Sequence, residues 1–190
     1  PGKSEEKILL GGHFDSWDLG QGAMDNGLGV AQIYETARLL KTHSPFNEHT
    51  VELVWFDAEE FGLWGARHYA EAEDLSNVRA MINLDMVGDP IQINAMGFDG
   101  MVPFLETYTE RIGGWSFQRR VANKPWLGSD HYPFMLKGVP SITFNAPIEA
   151  DDVRYYHDLA DTFDKVNREQ LARSSALTAL LVYDLANDSS

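Results

Sequence analysis

Three apolar, strand-like runs, separated by helix-like stretches, each end on residues able to bind a metal. Lys7 to Gly12 leads into His13-Phe14-Asp15, Thr50 to Phe56 into Asp57-Ala58-Glu59-Glu60, and Val78 to Leu84 ends on Asp85. Apolar residues at Val30, Ile33, Tyr34, Ala37 and Leu40 predict a helix over Gly27 to Lys41, stopped at His43-Ser44-Pro45, and Leu63 to Ala72 reads as a second helix. Such alternation builds a mostly parallel sheet flanked by helices, with sites at the carboxyl ends of the strands. The nearly continuous apolar run Val51 to Phe56 predicts a strand covered on both faces.

The second half is patterned less regularly. A short strand is expected at Ile91 to Ala95, a helix over Met101 to Ile112, and a strand over Trp115 to Val121. A short helix at Asp130 to Leu136 and a buried strand at Val139 to Phe144 precede a loop carrying Tyr155-Tyr156-His157-Asp158. Asn167 to Ala186 closes the pattern as an amphipathic helix. With 190 residues, 44% of them hydrophobic, and no linker or repeat, residues 1–190 read as one domain. The opening Pro1-Gly2-Lys3-Ser4, almost directly before a strand, predicts a fragment of a longer chain.

Composition narrows the chemistry. There is no cysteine, so disulfides, thiol catalysis and Cys-based zinc sites are excluded, and any transition metal must be held by His, Asp and Glu. A net charge of -14 argues against a nucleic-acid partner. No apolar run is long enough to span a bilayer, and no signal-peptide pattern is present.

Collecting the polar residues at strand ends and in the connecting loops gives five candidate metal ligands: His13, Asp25, Glu60, Asp85 and His157. Two imidazoles and three carboxylates suit zinc, and one bridging carboxylate would give each of two ions three protein ligands. Two such ions can share a hydroxide as nucleophile. Asp15, two residues beyond His13, can orient that imidazole, and Glu59 is left free as general base. Each residue also has a plainer reading, Asp25 as a helix cap and Asp85 as a turn residue.

His13-Phe14-Asp15-Ser16-Trp17-Asp18, Gly22-Ala23-Met24-Asp25-Asn26-Gly27, Ala58-Glu59-Glu60-Phe61-Gly62, Asn83-Leu84-Asp85-Met86 and Tyr156-His157 resemble, in order, the motifs of metallopeptidase family twenty-eight. That family holds co-catalytic zinc aminopeptidases and carboxypeptidase Q, and the Ser16 to Asp25 stretch is most similar to the carboxypeptidase Q branch. The resemblance implies a three-layer α/β/α zinc-exopeptidase fold and a peptide or dipeptide substrate. It also implies secretion or a periplasmic location. In this pattern Asp25 bridges two zinc ions, His13 and Asp85 complete one site, and Glu60 and His157 complete the other. Glu59 is then the base, Asp15 the partner of His13, and Asp161 a further supporting carboxylate. Two departures stand out. The chain starts close to its first ligand, so either amino-terminal edge strands or a second copy in a homodimer should cover the sheet edge. Asn26 also stands where many relatives carry a second Asp.

Rival readings are a single-zinc glutaminyl cyclase-like acyltransferase and an inactive receptor-like or scaffold domain. Gly20 to Asp25 comes within one residue of a dinucleotide fingerprint, but an Asp replaces the third Gly, where it would repel pyrophosphate. Ser129-Asp130-His131 invites a catalytic-triad reading, which its contiguity disfavours. Trp17, Trp126 and Tyr155 are candidate pocket walls, and His43, His49 and His68 carry no spacing signal.

Overall fold

The computed structural model describes residues 1–44, 46–112, 121–147 and 154–188. Six strands form one sheet: β1 (Lys7–His13), β2 (Thr50–Phe56), β3 (Val78–Asn83), β4 (Gln92–Asn94), β5 (Val121–Ala122) and β6 (Ser141–Asn145). Their order is β2-β1-β3-β6-β4-β5. The first four in that order run parallel, whereas β4 is antiparallel to β6 and pairs in parallel with β5.

Period-two alternation along the central strands sorts five helices into two layers. Ile8 and Leu10 of β1 and Ala80 and Ile82 of β3 face one side. There they pack with Ile33 of α1 (Leu28–His43), Leu105 and Tyr108 of α3 (Val102–Arg111), and Leu177, Leu181 and Leu185 of α5 (Arg168–Asn187). Leu9 and Met81 point the other way, against Ala66 and Ala70 of α2 (Trp64–Ala72) and Phe134 of α4 (His131–Leu136). The three-layer arrangement therefore follows from residue parity on two strands. Asn167 starts α5 by accepting hydrogen bonds from the backbone N–H groups of Glu169 and Gln170, each at 3.1 Å.

β2 lies at the edge of the sheet, pairing with β1 alone among the described residues, and is packed on both faces as its apolar run predicts: Val51 and Leu53 meet the layer of α1, α3 and α5, while Val54 and Phe56 meet that of α2 and α4. Its edge position shows in its half-buried residues and in the exposed Trp55. Of the strand expected over Trp115 to Val121, only Val121 falls within the described residues, where it opens β5.

Candidate metal centre

β1 ends on His13, Asp57 follows β2 directly, and Asp85 lies two residues past β3. These neighbouring parallel strand ends thus open onto one place. Gly12 and Gly29 allow the close approach that completes it: a Cβ on either would lie 2.3 or 2.4 Å from the Leu84 carbonyl oxygen. The same carbonyl accepts from Asn26 Nδ2 at 2.8 Å. Asn26 also donates to the His13 carbonyl, and its Oδ1 accepts from the backbone N–H of Gly29 and of Met86, each at 3.1 Å. One buried amide therefore ties the end of β1, the segment after β3 and the start of α1 around Asp25.

The five candidate ligands come together as two groups. His13 Nε2 lies 3.2 Å from Asp25 Oδ1 and 3.5 Å from Asp85 Oδ1. His157 Nε2 lies 2.8 Å from Glu60 Oε2 and 3.4 Å from Asp25 Oδ2. Asp25 lends one oxygen to each group, and among the described residues both triplets could hold a metal ion, their donors lying within 4.8 Å of one another. Tetrahedral donors about 2.0 Å from a zinc ion sit roughly 3.3 Å apart, the spacing seen here.

Hydrogen bonding supports the same fit. The His13 Nδ1 lies 3.1 Å from the Asp15 carbonyl oxygen, which can only accept, so Nδ1 carries the hydrogen. Nε2 then turns its lone pair toward two carboxylate oxygens, an arrangement that requires a proton or a cation between them. His13 Nε2, His157 Nε2 and Glu60 Oε1 are buried atoms that face neighbouring ligand groups without a hydrogen bond of regular geometry. Donor type, spacing and these buried atoms all suit zinc.

Electrostatics show what this crowding costs. Burial works to lower the His13 pKa, but hydrogen bonds and charge from Asp25 and Asp85 outweigh it and push it up to about 12. Burial raises Asp25, against the pull of His13. Burial also opposes ionisation of Asp85, yet the hydrogen bond and charge of His13 and a hydrogen bond from Ser129 leave its pKa lowered. Glu59 is pushed up to about 8 by burial foremost, with Asp85, Glu60 and Asp25 adding to it. Glu60 rises to about 7, again chiefly by burial and then by the charge of Asp25.

Two further carboxylates brace the turns from behind. Asp15 accepts from the backbone N–H groups of Glu59 and Glu60 at 3.1 and 3.2 Å, while its Oδ1 lies 3.5 Å from His13 Nδ1. Asp161, buried, accepts from those of Met24 and Asp25 at 2.8 and 3.0 Å.

Residues 1–182 match Peptidase family M28. The chain belongs to that family. The probable lipoprotein aminopeptidase LpqL of Mycobacterium tuberculosis is 39% identical, over 98% of this chain and 44% of its own length. A solved zinc aminopeptidase from Bacillus subtilis shares the fold with a TM-score of 0.81 at 27% identity, covering 97% of this chain and 47% of that one. A glutaminyl cyclase from an Acidobacteriales bacterium is similar with a TM-score of 0.72 at 25% identity, covering 97% of this chain and 72% of that one. The chain spans 42, 44 and 47% of the length of the first curated relatives it matches.

Around the carboxylates this M28 domain carries a cleft of about 400 Å³, walled in part by Leu63, Arg67, Leu127 and Tyr156. Ser129, Asp130 and His131 sit beside it but form no triad. Ser129 Oγ accepts from Asn83 Nδ2 at 2.7 Å, His131 Nε2 donates to the Trp126 carbonyl at 2.9 Å, and both Asp130 oxygens are buried without a hydrogen-bond partner. Burial raises the Asp130 pKa well above the usual carboxylate range. Trp126 packs edge-on against His131, Tyr155 lies under the Lys165 ammonium, and Trp17 stacks on His157. Sequence reading missed Asn26 as an organising residue, because a single Asn before a helix looks like an ordinary cap.

Proposed function

We propose that this chain is the catalytic domain of a zinc exopeptidase that hydrolyses terminal peptide bonds, with His13, Asp25 and Asp85 holding one ion and Asp25, Glu60 and His157 holding a second. The observation that carries this reading is the sharing of Asp25, whose two oxygens face two separate imidazole nitrogens. Zinc there supplies Lewis acidity, polarising the scissile carbonyl and lowering the pKa of an attacking water.

The remaining steps belong to the chain itself. Glu59 is in neither triplet yet is next to Glu60, and it takes the proton from the water and returns it to the leaving nitrogen. The water oxygen adds to the carbonyl carbon as the C=O electron pair moves onto oxygen; that pair then re-forms the carbonyl as the C–N bond breaks, and the nitrogen, protonated by Glu59, leaves as an amine. Without cations Glu59 is held up to about 8 by burial and neighbouring carboxylates. Positive charge beside those carboxylates offsets their repulsion and leaves Glu59 ionised as a base near neutral pH. Asp15, by fixing the backbone of both glutamates, keeps one aimed at the reaction and the other at the metal group.

The aminopeptidase reading is supported by the names of relatives, and the Ser16 to Asp25 stretch supports a carboxypeptidase Q-like dipeptidase as a finer possibility. The glutaminyl cyclase neighbour favours a second reading, acyl transfer at a single ion, which the sharing of Asp25 counts against. Elemental analysis and parallel assays on aminoacyl and amine-blocked dipeptide substrates separate these. Two zincs per chain with release from the free-amine substrate supports the aminopeptidase. One zinc with cyclisation of amino-terminal glutamine supports the cyclase, and no turnover by a folded, zinc-loaded sample supports a scaffold.

A further inference from the structure

The His157 imidazole is sandwiched. Its ring lies 4.6 Å from the Trp17 ring at an interplanar angle of 8°, and 3.7 Å from the Tyr156 ring at 22°. Two near-parallel rings at those distances cannot share one face of an imidazole, so they flank it. His157 itself adopts a left-handed backbone with φ 55°, which leaves the flanking rings, rather than a regular element, to fix its side chain. Trp17 is not held there by core burial, because it is 45% exposed. Its loop is pinned to the same segment: the Gly20 N–H donates to the Trp17 carbonyl at 2.9 Å, and a Cβ on Gly20 would lie 3.2 Å from the Asp158 carbonyl oxygen.

We propose that Trp17 is a positioning residue that sets the affinity of the metal held by Asp25, Glu60 and His157, by clamping the His157 ring against Tyr156 with Nε2 directed at the two carboxylates. The proposal rests on the metal reading given above. Two physical effects give it direction. Clamping removes the rotational freedom that His157 would lose on taking a metal, so the loss is met in advance. A metal-bound imidazole is also electron-poor, and stacks more favourably on the electron-rich face of an indole than the free ring does. Both favour the metal-loaded state of one group and do not act on His13 or Asp85, the ligands particular to the other.

Zinc titration of the metal-free chain against a chromophoric chelator, with Trp17→Phe, Trp17→Leu and His157→Ala variants, tests this. The expected result is that Trp17→Leu weakens one of two zinc affinities by about three- to tenfold and leaves the other unchanged, whereas Trp17→Phe, still able to stack, stays near wild type. Wild-type tryptophan fluorescence should change as that ion binds, and Trp17→Phe should lack this change. Unchanged affinities in Trp17→Leu would overturn the clamp, as would a parallel loss at both ions accompanied by a lower melting temperature of the metal-free form. His157→Ala should bind one zinc. If it still binds two with wild-type affinity, the placement of His157 in the metal group falls first and the clamp with it.

Discussion

The Asp161 carboxylate accepts the backbone N–H of Asp25 at 3.0 Å, joining two residues 136 positions apart in the sequence. Its other oxygen takes the Met24 N–H at 2.8 Å, so the turn that presents Asp25 hangs from a carboxylate on the far side of the His157 loop. Asp161→Ala leaves two N–H groups without that acceptor, and should destabilise the metal-free chain by about 2–4 kcal/mol, measured as the shift in the urea midpoint. Zinc affinity should also fall, by about tenfold or more, because the Asp25 backbone is no longer fixed. A midpoint within error of wild type would show that the hydrogen bonds contribute nothing net.

Asn26 makes the larger demand. It is 1% exposed and serves two carbonyls and two N–H groups from three separate segments. Leucine has a similar volume but none of these partners, so Asn26→Leu strands several buried polar groups and should cost about 3 kcal/mol or more in chemical denaturation. Loss of zinc should accompany it. Retention of both stability and metal would mean that water or rearranged backbone takes over the Asn26 contacts.

Glu59→Gln keeps size and shape while removing the proton acceptor. Zinc content by elemental analysis should stay at the wild-type value, and kcat should fall about 10²- to 10⁴-fold with little change in KM. Full activity in a zinc-replete variant would remove Glu59 from the mechanism. If zinc is lost instead, Glu59 belongs to a metal group.

Much of this arrangement was legible in the sequence, for a physical reason. Parallel strands buried between helices leave strong apolar runs, and their carboxyl ends must lie together, so His13, Glu60 and Asp85 could be grouped by position alone. Asp25 and His157 sit on irregular loops whose paths no periodicity reports, and the family motifs, not spacing, pointed to their pairing. That β2 lies at the sheet edge was not legible, because an edge strand and a central one use the same β-branched and aromatic residues. The contacts of Asn26, Asp15 and Asp161 were hidden for a different reason: each is a side chain serving backbone of another segment, and backbone groups leave no mark in a sequence.

The crowded carboxylates give the metal-free form a definite pH dependence. Glu59 and Glu60 rise from 4.5 to about 8 and about 7 on folding, so between those limits the folded chain keeps protons that the unfolded chain has already released. Stability must then fall as pH rises through that window. His13 acts in the same direction: its ordinary value of 6.5 is raised to about 12, so its contribution is complete below 6.5 and is lost as pH climbs from there. His131, whose pKa burial lowers from 6.5, works the other way below that value, so the melting temperature in the presence of a chelator should decline from about pH 6.5 to pH 8, and Glu59→Gln should decline less steeply because one such proton is gone. Saturating zinc should flatten or reverse the slope, since the metal takes the place of the retained protons and binds more tightly as they leave. A metal-free melting temperature that rises with pH over this range would contradict the electrostatic account of the cluster.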